Sequence, residues 1–356
     1  MAATESSSDH LQLRHSKGDL TCPLSPSSSG FTIDDAFVCL SPYSPPPTRL
    51  VSHLPPAWVP FAELMRLHKP AGYYAFYFPL LIGTFFAAAV SLPAPPLSLV
   101  VRICAVHTEG TLFLRGAACS WNDTVDAPFD RKVARCRNRP VARGAVRPNV
   151  AHVFTTLPTA TWFFILSWLP LESISPAVLF ALLLMVYPFC KRITNFPQVV
   201  LGFSLGLGRS VGMASLGLDP LSQSSPKVRW TMLCLYISYI VNAMIYDTVY
   251  AHQDLKDDLK AGVMSMAVTC AGQTKEVLTL LSAIEINLLS GAGYLIGFGA
   301  WYVFAAVGGT AVLLSTMIVT VNLEEPAACM NWFEWIIWLT GTALCAALMG
   351  EYAARL

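Results

Sequence analysis

Residues 229–258 read RWTMLCLYISYIVNAMIYDTVYAHQDLKDD. The stretch begins as an apolar run long enough to cross a bilayer, which takes about 20 residues of α-helix. It then runs without a break into Asp247, Asp254 and Asp258. At about 100° per residue these three positions fall within a narrow stripe of one helix. Three carboxylates on one stripe repel one another unless cations sit between them. Mg²⁺ suits such a place, because it prefers oxygen ligands and commonly takes one or two carboxylates together with phosphate oxygens. The plain alternative is a solvated loop of balanced Asp and Lys, and Asp257, which points off the stripe, fits that description and stays outside the candidate set.

The rest of the chain has the same character. Of 356 residues, 54% are hydrophobic and only 13% charged, with a mean hydropathy of +0.52, against about 25% charged in soluble domains. This predicts an all-α, polytopic transmembrane helix bundle. Nine spans are expected, near 71–92, 97–121, 150–170, 173–190, 196–216, 229–247, 276–296, 299–321 and 332–352. Lys and Arg concentrate in alternate loops, at Arg66, Lys69, Arg131 to Arg147, Lys191, Arg192, Lys256 and Lys260. Such loops stay cytoplasmic, so the amino terminus is expected in the cytosol and the carboxyl terminus across the membrane. The net charge of +1 is no signal for nucleic acid. Ten cysteines without metal-ligand spacing are read as unpaired thiols.

Two domains of behaviour are expected: a disordered Ser/Pro-rich tail over 1–57 and a membrane domain over 58–356. Glu5, Asp9, Asp19, Asp34 and Asp35 make the tail a poor mitochondrial presequence, so an endoplasmic-reticulum-type membrane is the expected location.

A second acidic group lies where the second apolar segment reaches its cytoplasmic end, from Arg115 through Asn122, Asp123 and Asp126 to Asp130. Arg115, Asn122 and Asp126 share a helical face, and Pro128 is expected to break the helix before Asp130. A solvated helix end would explain any one of these carboxylates, but not the cluster. The basic residues around 131–147, with Lys191 and Arg192, lie on the same face as both acidic groups. Arg135 and Arg147 are read as topology or lipid-headgroup charges. Others should face a cavity, because a diphosphate held by metal still needs nitrogen donors as charge develops on it. Arg209 interrupts the fifth span, where an ionisable group signals function or snorkels to an interface. His107 and Glu109 carry no assigned role, a buried pair between helices being an equal reading.

With these residues in view, the chain resembles the UbiA superfamily of intramembrane aromatic prenyltransferases. Asn122, Asp123, Asp126 and Asp130 match its Asn-Asp-x-x-Asp-x-x-x-Asp pattern, and Asp247, Tyr250, Asp254 and Asp258 match its second motif. Arg139-Pro140 and the segment Tyr187-Pro188, Lys191, Arg192, Pro197 and Gln198 extend the likeness over roughly residues 60–350. Pro128 and Arg209 depart from the pattern. The resemblance implies Mg²⁺ held by Asn122, Asp126, Asp130, Asp247, Asp254 and Asp258 as the catalytic centre, with Arg115, Arg137, Arg139, Lys191, Arg192 and Tyr250 facing substrate. The segment Arg66 to Tyr74 is similar to fungal meroterpenoid prenyltransferases. That likeness implies farnesyl diphosphate as donor and a phenolic polyketide acid as acceptor.

Two other readings stand beside this one. Polyprenylation of 4-hydroxybenzoate for ubiquinone would use the same motifs with a longer donor. A transporter would concentrate polar groups near the bilayer midplane, whereas this chain gathers its acids at one face.

Overall fold

The computed structural model describes Tyr43, Pro46, residues 48–219 and residues 222–356. Most of the expected tail therefore lies outside the described residues. Its end differs from the expectation: Arg49–Ser52 forms a helical turn and Val51 is buried.

All regular structure among the described residues is helical. A short helix α1 (Val59–Leu64) leads to α2 (Ala71–Val90), α3 (Leu97–Asp130), α4 (Pro148–Leu166), α5 (Ile174–Cys190), α6 (Pro197–Ala214) and α7 (Pro226–Ala251). After a 3₁₀ turn at His252–Asp254 come α8 (Leu255–Ala261), α9 (Thr274–Ile296), α10 (Ala300–Thr320) and α11 (Pro326–Ala353). A long helix stands at each of the nine expected positions, and α9 ends on Gly297 in the left-handed region at φ 73°, so the turn between α9 and α10 lies where the glycines predicted it. Seven of the helices are long and apolar enough to cross a membrane; α4 and α6 are the two that are not. Four threonines and His152 dilute α4, while glycines, serines and Arg209 dilute α6.

The composition of α6 follows from its place. It packs against α2, α5 and α7 and buries most of its length, so it meets protein where an outer helix meets lipid. Membrane helices approach closely where side chains are small. A Cβ on Gly83 of α2 would lie 2.0 Å from the Arg209 carbonyl oxygen, and one on Gly212 of α6 would lie 2.1 Å from that of Leu80. Only glycine permits this crossing.

Arg209 does not snorkel. It is 3% exposed, donates to the Leu235 carbonyl and to Ser238 Oγ, and lies over the Tyr239 ring with 4.8 Å to its centroid. His107 and Glu109 are not a buried pair: His107 Nε2 meets Ser215 Oγ at 3.1 Å, whereas Glu109 is exposed. One helical residue is about 100° of rotation, so positions two apart face opposite sides. Pro128 does not stop α3, which continues to Asp130. A proline so near the helix end removes one backbone bond, that to the Thr124 carbonyl, and the turn still closes through Arg131 N–H, which donates to the Ala127 carbonyl at 3.3 Å.

Candidate active site

Three segments without regular long-range pattern are pinned to α3 by charge. Before α2, Arg66 reaches Asp123 at 2.6 Å. In the loop after α3, Arg139 reaches Asp130 at 2.9 Å and Asp123 at 3.4 Å, while Arg143 pairs with Glu63 at 2.6 Å. After α5, Lys191 pairs with Asp126 at 2.9 Å and Arg192 lies 3.9 Å from the same carboxylate. Burial alone would lower the Lys191 pKa, but Asp126 and the Tyr187 phenol hold it well above the ordinary lysine value. Its positive charge is secure at neutral pH.

The second acidic group is not one continuous α-helix. The 3₁₀ turn at His252–Asp254 interrupts it, and α8 ends on Gly262 at φ 70°. Asp247, Asp254 and Asp258 nonetheless line one cavity with Asp126 and Asp130. Arg135, from the loop after α3, reaches the second group. Its guanidinium grips Asp254 in several hydrogen bonds, the Nε ones at 2.9 and 3.0 Å, and donates to Tyr250 Oη at 2.8 Å. Asp257 does not line the cavity and accepts from the Ala134 backbone N–H at 3.1 Å.

Of the candidate residues, Asp126, Asp130, Asp247, Asp254, Asp258, Arg139, Lys191, Arg192 and Tyr250 line this cavity. Asn122 does not; it donates to Asp126 at 3.2 Å and so orients that carboxylate. Arg137 is not among the lining residues. Arg115 faces a second, adjoining chamber, where it donates to the Arg66 carbonyl at 3.0 Å and the Lys69 carbonyl at 2.6 Å. Sequence reading missed Arg135, Asp123, Arg66 and Tyr187. Asp123 lay inside the quoted motif, but nothing in the loop separates Arg135 from its basic neighbours.

The donor set suits magnesium. The five lining aspartates offer hard oxygens, yet among the described residues no three His, Cys, Asp or Glu side chains stand close enough to hold an ion by themselves. An ion here would complete its shell with ligand oxygens, which is how Mg²⁺ is commonly bound. Four cations interleaved with the acids then leave the cavity able to receive a metal together with a polyanion.

The second chamber shares Arg135, Arg139, Asp247 and Tyr250 with the first. Its volume is about 260 Å³, compared with the roughly 150 Å³ that admits benzene. Phe333 forms an aromatic wall, 4.4 Å from the Tyr250 ring centroid and 5.8 Å from that of Tyr246.

Comparison with known proteins shows what the chain is similar to. The model of the UbiA prenyltransferase family matches residues 76–346. The chain is 39% identical over 278 residues to the prenyltransferase ascA of Acremonium egyptiacum, covering 78% of this chain and 81% of that one. It is 38% identical to the DMOA farnesyltransferase nvfB of Aspergillus novofumigatus, covering 73% and 81%. Among solved structures, a UbiA homologue from Archaeoglobus fulgidus bound to GPP and Mg²⁺ superposes with a TM-score of 0.61 at 16% identity, over 83% of this chain and 99% of that one.

Proposed function

The chain belongs to the UbiA prenyltransferase family, an integral multi-pass membrane enzyme, and from that premise we propose that it transfers a farnesyl group from farnesyl diphosphate to a ring carbon of a phenolic acid. The observation that carries the proposal is the meeting of both aspartate groups with Arg135, Arg139 and Lys191 around one cavity that opens into an aromatic-walled chamber. The farnesyltransferase among its relatives supports the chain length of the donor.

Asp126 and Asp130 on one side, and Asp247, Asp254 and Asp258 on the other, would hold magnesium, with Asn122 orienting Asp126. Magnesium, when bound, neutralises the diphosphate and stabilises charge on the leaving oxygen. Lys191, Arg135 and Arg139 donate to the remaining diphosphate oxygens. The C1–O bond breaks and its electron pair leaves with the diphosphate. A ring carbon made electron-rich by the phenolic oxygen forms the new bond to C1, and the proton on that carbon is released to restore aromaticity. The apolar helices packed around the chamber keep out water, which would otherwise capture the allylic cation.

The charge of the 131–147 and 256–260 loops supports a cytosolic site, and we infer an endoplasmic-reticulum-type membrane. Import into isolated mitochondria with cleavage of the tail would overturn that location. The reaction is tested with purified protein given farnesyl or much longer polyprenyl diphosphate, each with an orsellinic-type acid or 4-hydroxybenzoate. Farnesyl with the orsellinic-type acid should give the highest kcat/KM and a C-prenylated product. If the long donor with 4-hydroxybenzoate is the better pair, the enzyme belongs to ubiquinone synthesis instead.

A further inference from the structure

The chamber beside the diphosphate cavity contains several cations, and most are already engaged. Arg66 is held by Asp123 and by the Glu63 carbonyl, at 2.6 and 3.2 Å. Arg115 is spent on two backbone carbonyls. Arg135 and Arg139 are held by Asp254 and Asp130. Lys69 is different: no described carboxylate lies within 4 Å of its ammonium, although it lines the chamber. Its carbonyl is fixed by Arg115 at 2.6 Å, so the residue is anchored at the backbone and uncommitted at the tip. Beside it, His68 Nδ1 is shielded from solvent without a hydrogen-bond partner.

A buried ring nitrogen with no partner is costly unless a ligand satisfies it, and beside it stands an exposed ammonium with no described carboxylate to hold it. The chamber also has the aromatic wall described above. Building on the prenyltransferase reading, we propose that Lys69 and His68 are the acceptor-specificity pair: Lys69 takes the carboxylate of an aromatic carboxylic acid, and the His68 ring turns so that Nδ1, closed off in the free enzyme, accepts the hydrogen of its phenolic hydroxyl. Charge states agree with these roles. The His68 pKa is pushed down to about 4 by burial and by Arg66, Lys69 and Arg115, leaving a neutral ring that can accept. Lys69 is pushed down to about 8 by burial and by Arg66, Arg135 and Arg139, so it remains largely cationic at pH 7. Lys69 itself is exposed, and it borders the chamber.

The test uses the full-length enzyme in detergent with farnesyl diphosphate and Mg²⁺, and three matched acceptors: 2,4-dihydroxy-6-methylbenzoate, the same resorcinol without its carboxylate, and a monomethyl ether of the acid. Lys69→Met should lower kcat/KM for the acid by about ten- to a hundredfold, with the carboxylate-free acceptor and the donor KM changed less than about twofold. Lys69→Arg should recover most of the loss. His68→Phe should bring the rate with the free phenol down to that with the ether, while melting as the wild type does. Equal losses with both acceptors and a raised donor KM in Lys69→Met would assign Lys69 to the diphosphate and overturn the proposal. So would retention of the wild-type preference for acid over resorcinol, or for phenol over ether, in the respective variants. A wild type that prenylates neither acceptor overturns the functional reading itself, and this inference with it.

Discussion

Lys191 neutralises the first aspartate group and Arg135 the second. Lys191 compensates Asp126, and with Lys191→Met the nearest remaining cation is Arg192 at 3.9 Å. Removing one donor aimed at developing charge costs about a hundredfold or more in rate, so Lys191→Met and Arg135→Ala should each lower kcat by roughly that factor, with Lys191→Arg partly restored. Steady-state assays on detergent-solubilised protein check this. Asp126→Ala, Asp254→Ala and Asp258→Ala should nearly abolish turnover while the protein still inserts. Asp257→Ala is the contrast: it removes one hydrogen bond to a loop amide, and its effect should stay within about tenfold. A loss at Asp257 matching that at Asp258 would show that the cavity extends further than its lining residues.

Among the elements, the crossing of α2 and α6 is the most constrained. Gly212→Ala places a methyl group against the Leu80 carbonyl oxygen, and such overpacking costs about 1–3 kcal/mol. Gly291 on α9 has nothing within 4 Å of a would-be Cβ, so Gly291→Ala should leave the thermal midpoint in detergent unchanged while Gly212→Ala lowers it. Equal midpoints would mean that the two helices can separate without penalty. The same elements carry the topology. Tags inserted near 131–147 and 256–260 should be reached from the cytosol and a tag near 222 protected, and the reverse labelling pattern would refute the orientation.

At the scale of the molecule, metal removal is the decisive measurement. The five lining aspartates come from two helical segments far apart in sequence, and their mutual repulsion calls for countercharge when a diphosphate enters. EDTA should abolish turnover and Mg²⁺ should restore it; full activity in EDTA would sink the metal reading.

Much of this was legible without coordinates. Apolar length and the spacing of Asp126, Asp130, Asp247, Asp254 and Asp258 are local properties of the chain, because a helix of fixed pitch turns spacing into facing. The positions of the long helices, the all-α class and the aspartates of the cavity therefore followed from sequence. The 131–147 loop has no such period. Whether Arg135 or Arg137 faces the cavity depends on Asp254 and Tyr250, more than a hundred residues away. Arg115 likewise shared a helical face with Asn122, but the carbonyls of Arg66 and Lys69 drew it into the neighbouring chamber. Helical facing is settled by neighbours along the chain, whereas the partner of a long cationic side chain in an irregular loop is settled only by what the folded bundle brings beside it.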